Sequence, residues 1–294
     1  MAKASTTAKK KSAAKPLAAP AKKAATKTSA AKKPAGKPGG GAPFGWYELA
    51  TPDPKAANAF YKSVFGWVIK DAGNPAMEYW IINAKDYGVG GVMPLSDELK
   101  KMGVPPCWTG YIMVPDTDAT AKKLVAAGGK IKRPAFEIPG VGRICVVSDP
   151  HGAIFILMTP MGSNPAAPTA PGTPGTFGWR ELMAGDGEAA LKFYAKMFGW
   201  KKLRTHDMGP MGGYHIFSID GKTDSGGMMT KPPHVPFPCW GFYVNVDGVD
   251  AAVARVKKAK GKLVNGPMEV PGGQWIAQCI DPWGASFAMV APKR

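Results

Sequence analysis

The sequence is poor in the residues that hold metals and disulfides. Its 294 residues include only four histidines and four cysteines, at positions 107, 145, 239 and 279. No two cysteines stand in a CxxC pair, so zinc-ribbon and thioredoxin-like spacings are missing, and reduced, buried thiols are expected. Long apolar runs are missing as well. A stretch such as Ala153–Met158 is far below the roughly 20 residues that cross a bilayer, and no apolar segment follows the N-terminus. This predicts a cytoplasmic protein with no membrane partner and no secretory leader. Acid is missing locally: residues 1–43 carry eleven lysines, no Asp or Glu and no Arg. The lack of Arg excludes the usual mitochondrial transit pattern.

Those eleven lysines supply most of the net charge of +17 and leave +6 for everything after them. Residues 1–43 are otherwise Ala, Pro, Ser, Thr and Gly, too few apolar groups to offset ordering entropy, so a disordered basic tail is expected. Two roles fit it. Counterion release gives weak, sequence-indifferent binding of nucleic acid or another polyanion, and the plainer role is a solubilising tail.

What is present is a repetition. FGWYELATPDPKAANAFYKSVFGW, residues 44–67, returns as FGWRELMAGDGEAALKFYAKMFGW, residues 177–200. Cys-Trp recurs at 107 and 239, and Asp-Pro at 149 and 281. The chain therefore divides into a tail (1–43), a first body (44–160), a Pro/Gly/Ala linker (161–176) and a second body (177–294). Within a body, Phe44–Thr51 reads as a strand. Asp53 and Pro54 start a helix that presents Phe60, Tyr61, Val64 and Phe65 on one face, and Gly66 ends it. Strands over 79–83 and 89–93 follow. At Cys107 the cycle restarts with a strand, a helix over 118–127, and strands over 135–138, 144–148 and 154–159. Asp149-Pro150-His151-Gly152 and Asp281-Pro282-Trp283-Gly284 read as hairpin turns. The fold class is α+β, with four βαβββ modules. The Gly-rich stretch Gly140–Arg143 reads as a loop, with Arg143 first a surface residue and only second an anion contact.

Phe-Tyr in the first helix, FGW at its end and DPxGAxF before the last strand together resemble the vicinal oxygen chelate superfamily. That group includes glyoxalase I, extradiol dioxygenases and bleomycin-resistance proteins. The motif series WxEL, FY, FGW, DPxGA is similar to a bacterial glyoxalase-related branch. The resemblance covers both bodies and implies two tandem glyoxalase-like domains whose paired modules make cups, either within each body or across the two. It also implies metal ligands (His, Glu or Gln) on the first and last strands of each module. Carried over by motif, the first-strand places fall on Trp46 and Trp179. In the second modules they fall on Thr109 and Gly241, or on the adjacent Trp108 and Trp240. The last-strand places fall on Ile156 and Ala288, and the strands Gly90–Met93 and Gly226–Met229 offer no His or carboxylate. Trp, Ile and Ala supply no nitrogen or oxygen ligand, so no metal site and no cofactor are expected.

The alternation of strand side chains puts Trp46 and Glu48 on one face, and Trp179 and Glu181 likewise. With Tyr111 and Met113 in one body, and Tyr243 and Asn245 in the other, they form candidate ligand-lining sets. Three readings of the Glu stand open. It lines a pocket for a small, hydroxylated or cationic molecule beside an aromatic wall; it fixes the sheet register; or, with a pKa raised by burial, it is a general base. Metal-independent small-molecule binding is the leading expectation. The enzyme alternative is a lactoylglutathione-lyase-related lyase, an isomerase or a hydroxylase-type member using Glu48 or Glu181.

Overall fold

In the computed structural model the described residues are 40–75, 77–162 and 170–294. The expected disorder and polyanion binding of the Lys-rich segment fall outside them up to residue 39, as does 163–169 of the linker.

Four βαβββ modules follow one another. The first is β1 (Phe44–Thr51), α1 (Pro54–Phe65), β2 (Val68–Asp71), β3 (Trp80–Ala84) and β4 (Tyr87–Pro94), followed by the short helix α2 (Asp97–Lys101). The second is β5 (Cys107–Met113), α3 (Thr117–Ala126), β6 (Lys130–Ile138), β7 (Gly142–Ser148) and β8 (Ile154–Pro160). The third is β9 (Phe177–Ala184), α4 (Gly187–Phe198), β10 (Lys201–Asp207), β11 (Gly213–Ser218) and β12 (Gly226–Thr230). The fourth is β13 (Cys239–Asn245), α5 (Val249–Lys258), β14 (Lys262–Val270), β15 (Gln274–Ile280) and β16 (Ser286–Ala291).

Modules one and two share one eight-stranded sheet, ordered β2-β3-β4-β1-β5-β8-β7-β6. Modules three and four share the second, ordered β10-β11-β12-β9-β13-β16-β15-β14. Each sheet thus forms within one half of the chain. In the middle of the first, β1 runs antiparallel to β5 with Trp46 opposite Tyr111 and Glu48 opposite Thr109. The second sheet sets Trp179 opposite Tyr243 and Glu181 opposite Gly241.

The helices start and stop as their sequences dictate. Asp53 Oδ1 accepts the Ala56 N–H at 3.0 Å, and Gly66, at φ 70°, closes the last turn through a left-handed conformation. Asp186 and Gly199 repeat this on α4. Two local readings need correction. Gly142 and Arg143 open strand β7 rather than lying in a loop, and Arg143 is held by Asp118 on α3, with Nη2 to Oδ1 at 2.9 Å. That carboxylate takes the guanidinium that the anion-contact reading of Arg143 would need. Strand β2, VIKD, carries no alternating signal because it is an exposed edge strand paired only with β3.

The repeated motifs converge on a seam between the halves. Tyr61 of α1 donates to Asp281 Oδ2 in the other half at 2.9 Å and accepts from Trp108 Nε1 at 3.1 Å. Tyr194 of α4 returns the contact to Asp149 Oδ2 at 3.4 Å and accepts from Trp240 Nε1 at 3.1 Å. The other oxygen of each aspartate accepts backbone N–H groups of its own DPxG turn, including those of Ala153 and Ala285 at 2.9 Å. Trp67 Nε1 donates to Gly175 O and Trp200 Nε1 to Ala42 O, both at 2.8 Å. Phe155 packs on Tyr194, and Phe287 on Phe60 and Tyr61. Hydrophobic burial is thus continuous between the halves, and the two helix tyrosines sit fully buried within it.

Candidate functional site

The faces of the sheets turned away from this shared core carry the predicted residues. Strand alternation sends Trp108 and Trp240 to the core, so in the second modules it is Thr109 and Gly241 that share a face with the glutamates. Trp46, Tyr111, Met113, Ile144, Ile156 and Met158 gather in one cluster on the first sheet. On the second, Trp179 and Tyr243 meet Ile276, Ala288 and Val290. Asn245 stands beside them, opposite Val290 in register.

Each glutamate is the hub of an aromatic hydrogen-bond network. In the second half, Tyr214 donates to Glu181 Oε1 and Tyr243 to Glu181 Oε2, each at 2.8 Å. Trp179 Nε1 donates to the Tyr214 hydroxyl at 3.0 Å. Gln278 Nε2 donates to the Tyr243 hydroxyl at 2.9 Å and approaches Glu181 Oε2 at 3.4 Å. In the first half, the hydroxyls of Tyr111 and Tyr79 lie beside Glu48 and favour its charged form, and Trp46 Nε1 donates to the Tyr79 hydroxyl at 2.9 Å. Burial pushes both carboxyls above their ordinary pKa, and the tyrosine hydrogen bonds only partly oppose it. The same burial, with the carboxylate charge beside them, pushes up the hydroxyls of Tyr79, Tyr111, Tyr214 and Tyr243.

Tyr79, Tyr214 and Gln278 were not among the residues singled out from sequence. The signal for the tyrosines lies elsewhere, in Gly91 and Gly227. A Cβ on Gly91 would come 2.0 Å from the Tyr79 hydroxyl, and one on Gly227 would come 2.1 Å from Cζ of Tyr214. These glycines pair with Glu48 and Glu181 on the adjacent strands. Strands β4 and β12 therefore offer a bare backbone at the level of each carboxylate, and a tyrosine ring fills the room.

A divalent ion does not fit this donor set. The places that the family resemblance marks for ligands carry Trp46, Thr109 and Ile156 in one sheet and Trp179, Gly241 and Ala288 in the other, and Gly90–Met93 and Gly226–Met229 add no His or carboxylate. Each cup retains one carboxylate, already engaged by tyrosine hydroxyls. Among the described residues no three His, Cys, Asp or Glu side chains come together as a metal set. His215, on β11, bonds Thr205 Oγ1 through Nδ1 at 2.9 Å and faces Glu188 of α4 rather than a cup. Cys107, Cys145, Cys239 and Cys279 are unpaired, and burial raises each thiol, Cys279 to about 12.

Two βαβββ modules sharing one sheet, repeated in tandem, define the class. The profile of the Glyoxalase/Bleomycin resistance protein/Dioxygenase superfamily matches residues 44–157 and 176–289, and the chain belongs to that family as a tandem of two such domains. It is 33% identical over 252 residues to the "Putative glyoxylase CFP32" of Mycobacterium tuberculosis, covering 84% of this chain and 94% of that protein. It is 31% identical over 266 residues to the "Anthracycline biosynthesis protein DauV" of Streptomyces sp. (strain C5), covering 85% and 93%. A Mn(II)-bound glyoxalase from Novosphingobium aromaticivorans superposes with a TM-score of 0.60 at 17% identity, over 86% of this chain and 83% of that one. No helix among the described residues is long and apolar enough to cross a membrane.

Proposed function

We propose that this protein is a small-molecule binder of the glyoxalase-like family that works without a metal, and that its second cup, built on Trp179, Glu181, Tyr243 and Asn245, is the binding cup. The observation that carries this is the Glu181 network. A buried carboxyl beside an indole, two phenols and the Gln278 amide supplies the few convergent polar groups in an apolar wall that small-molecule sites use. Asn245 and Val290 extend the same wall to an open cleft of about 280 Å³ also lined by Pro171, Gly172, Gln274 and Ala291. The first cup, with Trp46, Glu48, Tyr111 and Met113, is its apolar counterpart. A relative named for anthracycline biosynthesis is consistent with a ligand that is flat and oxygenated.

The enzyme reading keeps one specific support: burial raises Glu181 and so makes it a better proton acceptor than an exposed glutamate. The deciding experiment is native mass spectrometry of gently extracted full-length protein, with Glu181→Gln beside the wild type. A co-purifying molecule, lost from Glu181→Gln and retained by Glu48→Gln, supports binding in the second cup. Protein that carries stoichiometric metal, and loses its ligand when the metal is chelated, overturns the metal-free reading. Turnover of the captured molecule that is lost in Glu181→Gln with affinity kept turns the binder into an enzyme.

A further inference from the structure

Tyr214 sits in the second cup as a ligand would. Its hydroxyl donates to Glu181 Oε1 at 2.8 Å and accepts from Trp179 Nε1 at 3.0 Å, and its ring lies on the bare backbone of Gly227. The acceptor and the donor both come from β9 and the glycine floor from β12, whereas Tyr214 itself comes from β11. Removing that one side chain would leave the rest of the site intact.

The chemistry of that vacancy is restrictive. It offers one acceptor and one donor to a single oxygen. A hydroxyl answers both. An ammonium sets donor against the indole N–H, and a carboxylate sets charge against Glu181. The room over Gly227 is taken by the flat phenol ring of Tyr214, so it suits another flat ring rather than a branched chain. Tyr214 pairs with His206 on β10, at the end of an exposed turn. The segment before it, Met208–Gly213, holds Gly209 and Gly212 at φ 62° and 78° and exposes the side chains of Met208 and Met211. Further along the cup, Asn245 is only 7% exposed; its Nδ2 donates to Thr176 Oγ1 at 2.9 Å, while its Oδ1 accepts nothing among the described residues.

Resting on the binding reading above, we infer that the second cup receives a planar aromatic molecule bearing a hydroxyl group, and that Tyr214 holds its place until it arrives. The ligand hydroxyl takes over the bonds to Glu181 and Trp179, and its ring takes the floor at Gly227. The remaining ring edge extends toward Asn245.

The test is calorimetric titration of the full chain with 2-naphthol, using naphthalene as the hydroxyl-free control. Wild type is expected to bind 2-naphthol about tenfold or more tightly than naphthalene, the effect of one well-made hydrogen bond to a carboxylate. Tyr214→Phe removes the competing hydroxyl but keeps the ring, and Tyr214→Ala removes both. Each is expected to tighten 2-naphthol binding by about threefold to tenfold, while Tyr79→Phe in the first cup changes nothing. Glu181→Gln is expected to remove the preference for the hydroxyl. Weakened binding in Tyr214→Phe, equal affinities for the two probes, or no binding of 2-naphthol to any variant overturns the inference. A different class of molecule captured in the second cup, lacking an aromatic hydroxyl, sinks this inference and leaves the binding reading standing. A native chain that captures nothing and binds no probe sinks both.

Discussion

The two cups share a centre and differ at their edges. Trp, Glu and two tyrosines occupy the same places in both: Trp46, Glu48, Tyr79 and Tyr111 against Trp179, Glu181, Tyr214 and Tyr243. Around them the first cup is closed by Met113, Val146, Ile156 and Met158, and the second carries Asn245, Gln278, Ala288 and Val290 at the matching register positions. Every one of these exchanges makes the second cup smaller-walled or more polar. A duplicated fold can keep its hydrogen-bonded centre in both copies because that centre holds the sheet together. Which copy binds a ligand is then decided by the ring of residues outside it, which is free to diverge.

The largest expected effect comes from erasing that ring. Asn245→Met, Gln278→Val, Ala288→Ile and Val290→Met together convert the second cup to the lining of the first. This variant is expected to lose 2-naphthol affinity by about a hundredfold, because two amides go and the larger side chains overfill the wall. The thermal midpoint should move little, since the first cup already packs stably with those residues. If titration shows affinity unchanged, the two cups are equivalent and the comparison fails.

Removing the hub tests the shared centre. Glu181→Ala leaves the Tyr214 and Tyr243 hydroxyls without their acceptor and is expected to cost about 2 kcal/mol in urea unfolding. Glu48→Ala should cost a similar or smaller amount, since no amide like that of Gln278 joins its network. The pH dependence has a definite sign. Burial raises both carboxyls above the ordinary glutamate value, so the folded chain holds these protons more tightly than the unfolded chain. Stability therefore falls as pH rises from about 4.5 through the raised folded values. Glu48→Gln and Glu181→Gln should each flatten that fall, and a steeper fall in either would contradict the burial argument.

A smaller effect separates the two latches of the seam. Tyr61→Phe strips Asp281 and Trp108 of a partner held at 2.9 and 3.1 Å, and is expected to cost about 1–2 kcal/mol. Tyr194→Phe breaks a longer 3.4 Å contact to Asp149 and should cost less. Equal losses by chemical denaturation would show that the difference in length carries no energy.

The architecture was legible in the sequence because it is written in periodicity and punctuation. Asp53 and Pro54 start α1, Gly66 stops it, and FGW recurs at the same offset in both halves. The faces of Trp46 and Glu48 follow from alternation alone. The partners of Glu48 and Glu181 were not legible in the same way. Tyr79 precedes β3 and Tyr214 lies near the start of β11, two strands from the carboxylates they meet, so only the sheet order β3-β4-β1 and β11-β12-β9 brings them across. The glycines that let them in, Gly91 and Gly227, read in sequence only as strand positions without a His or carboxylate, not as sockets. Likewise the DPxG turns read as hairpins, and nothing local says that Tyr61 of the first half would seek out Asp281 of the second.

The smallest expected effect sharpens the comparison most finely. Asn265 Nδ2 donates to Gln278 Oε1 at 3.2 Å from an exposed position on β14, and so orients the amide that serves Tyr243 and Glu181. With Val146 in the corresponding place, the first cup has no amide to orient. Asn265→Ala should cost no more than about 0.5 kcal/mol of stability, since the lost bond is replaced by water. Its effect on binding should be larger than its effect on folding: a Gln278 amide released from Asn265 can turn its carbonyl toward Tyr243 and compete with Glu181 for that hydroxyl. A two- to threefold loss of 2-naphthol affinity with an unchanged thermal midpoint is the expected result. Unchanged affinity would mean that Tyr243 and Glu181 hold the amide by themselves, and that the polar edge of the second cup ends at Gln278.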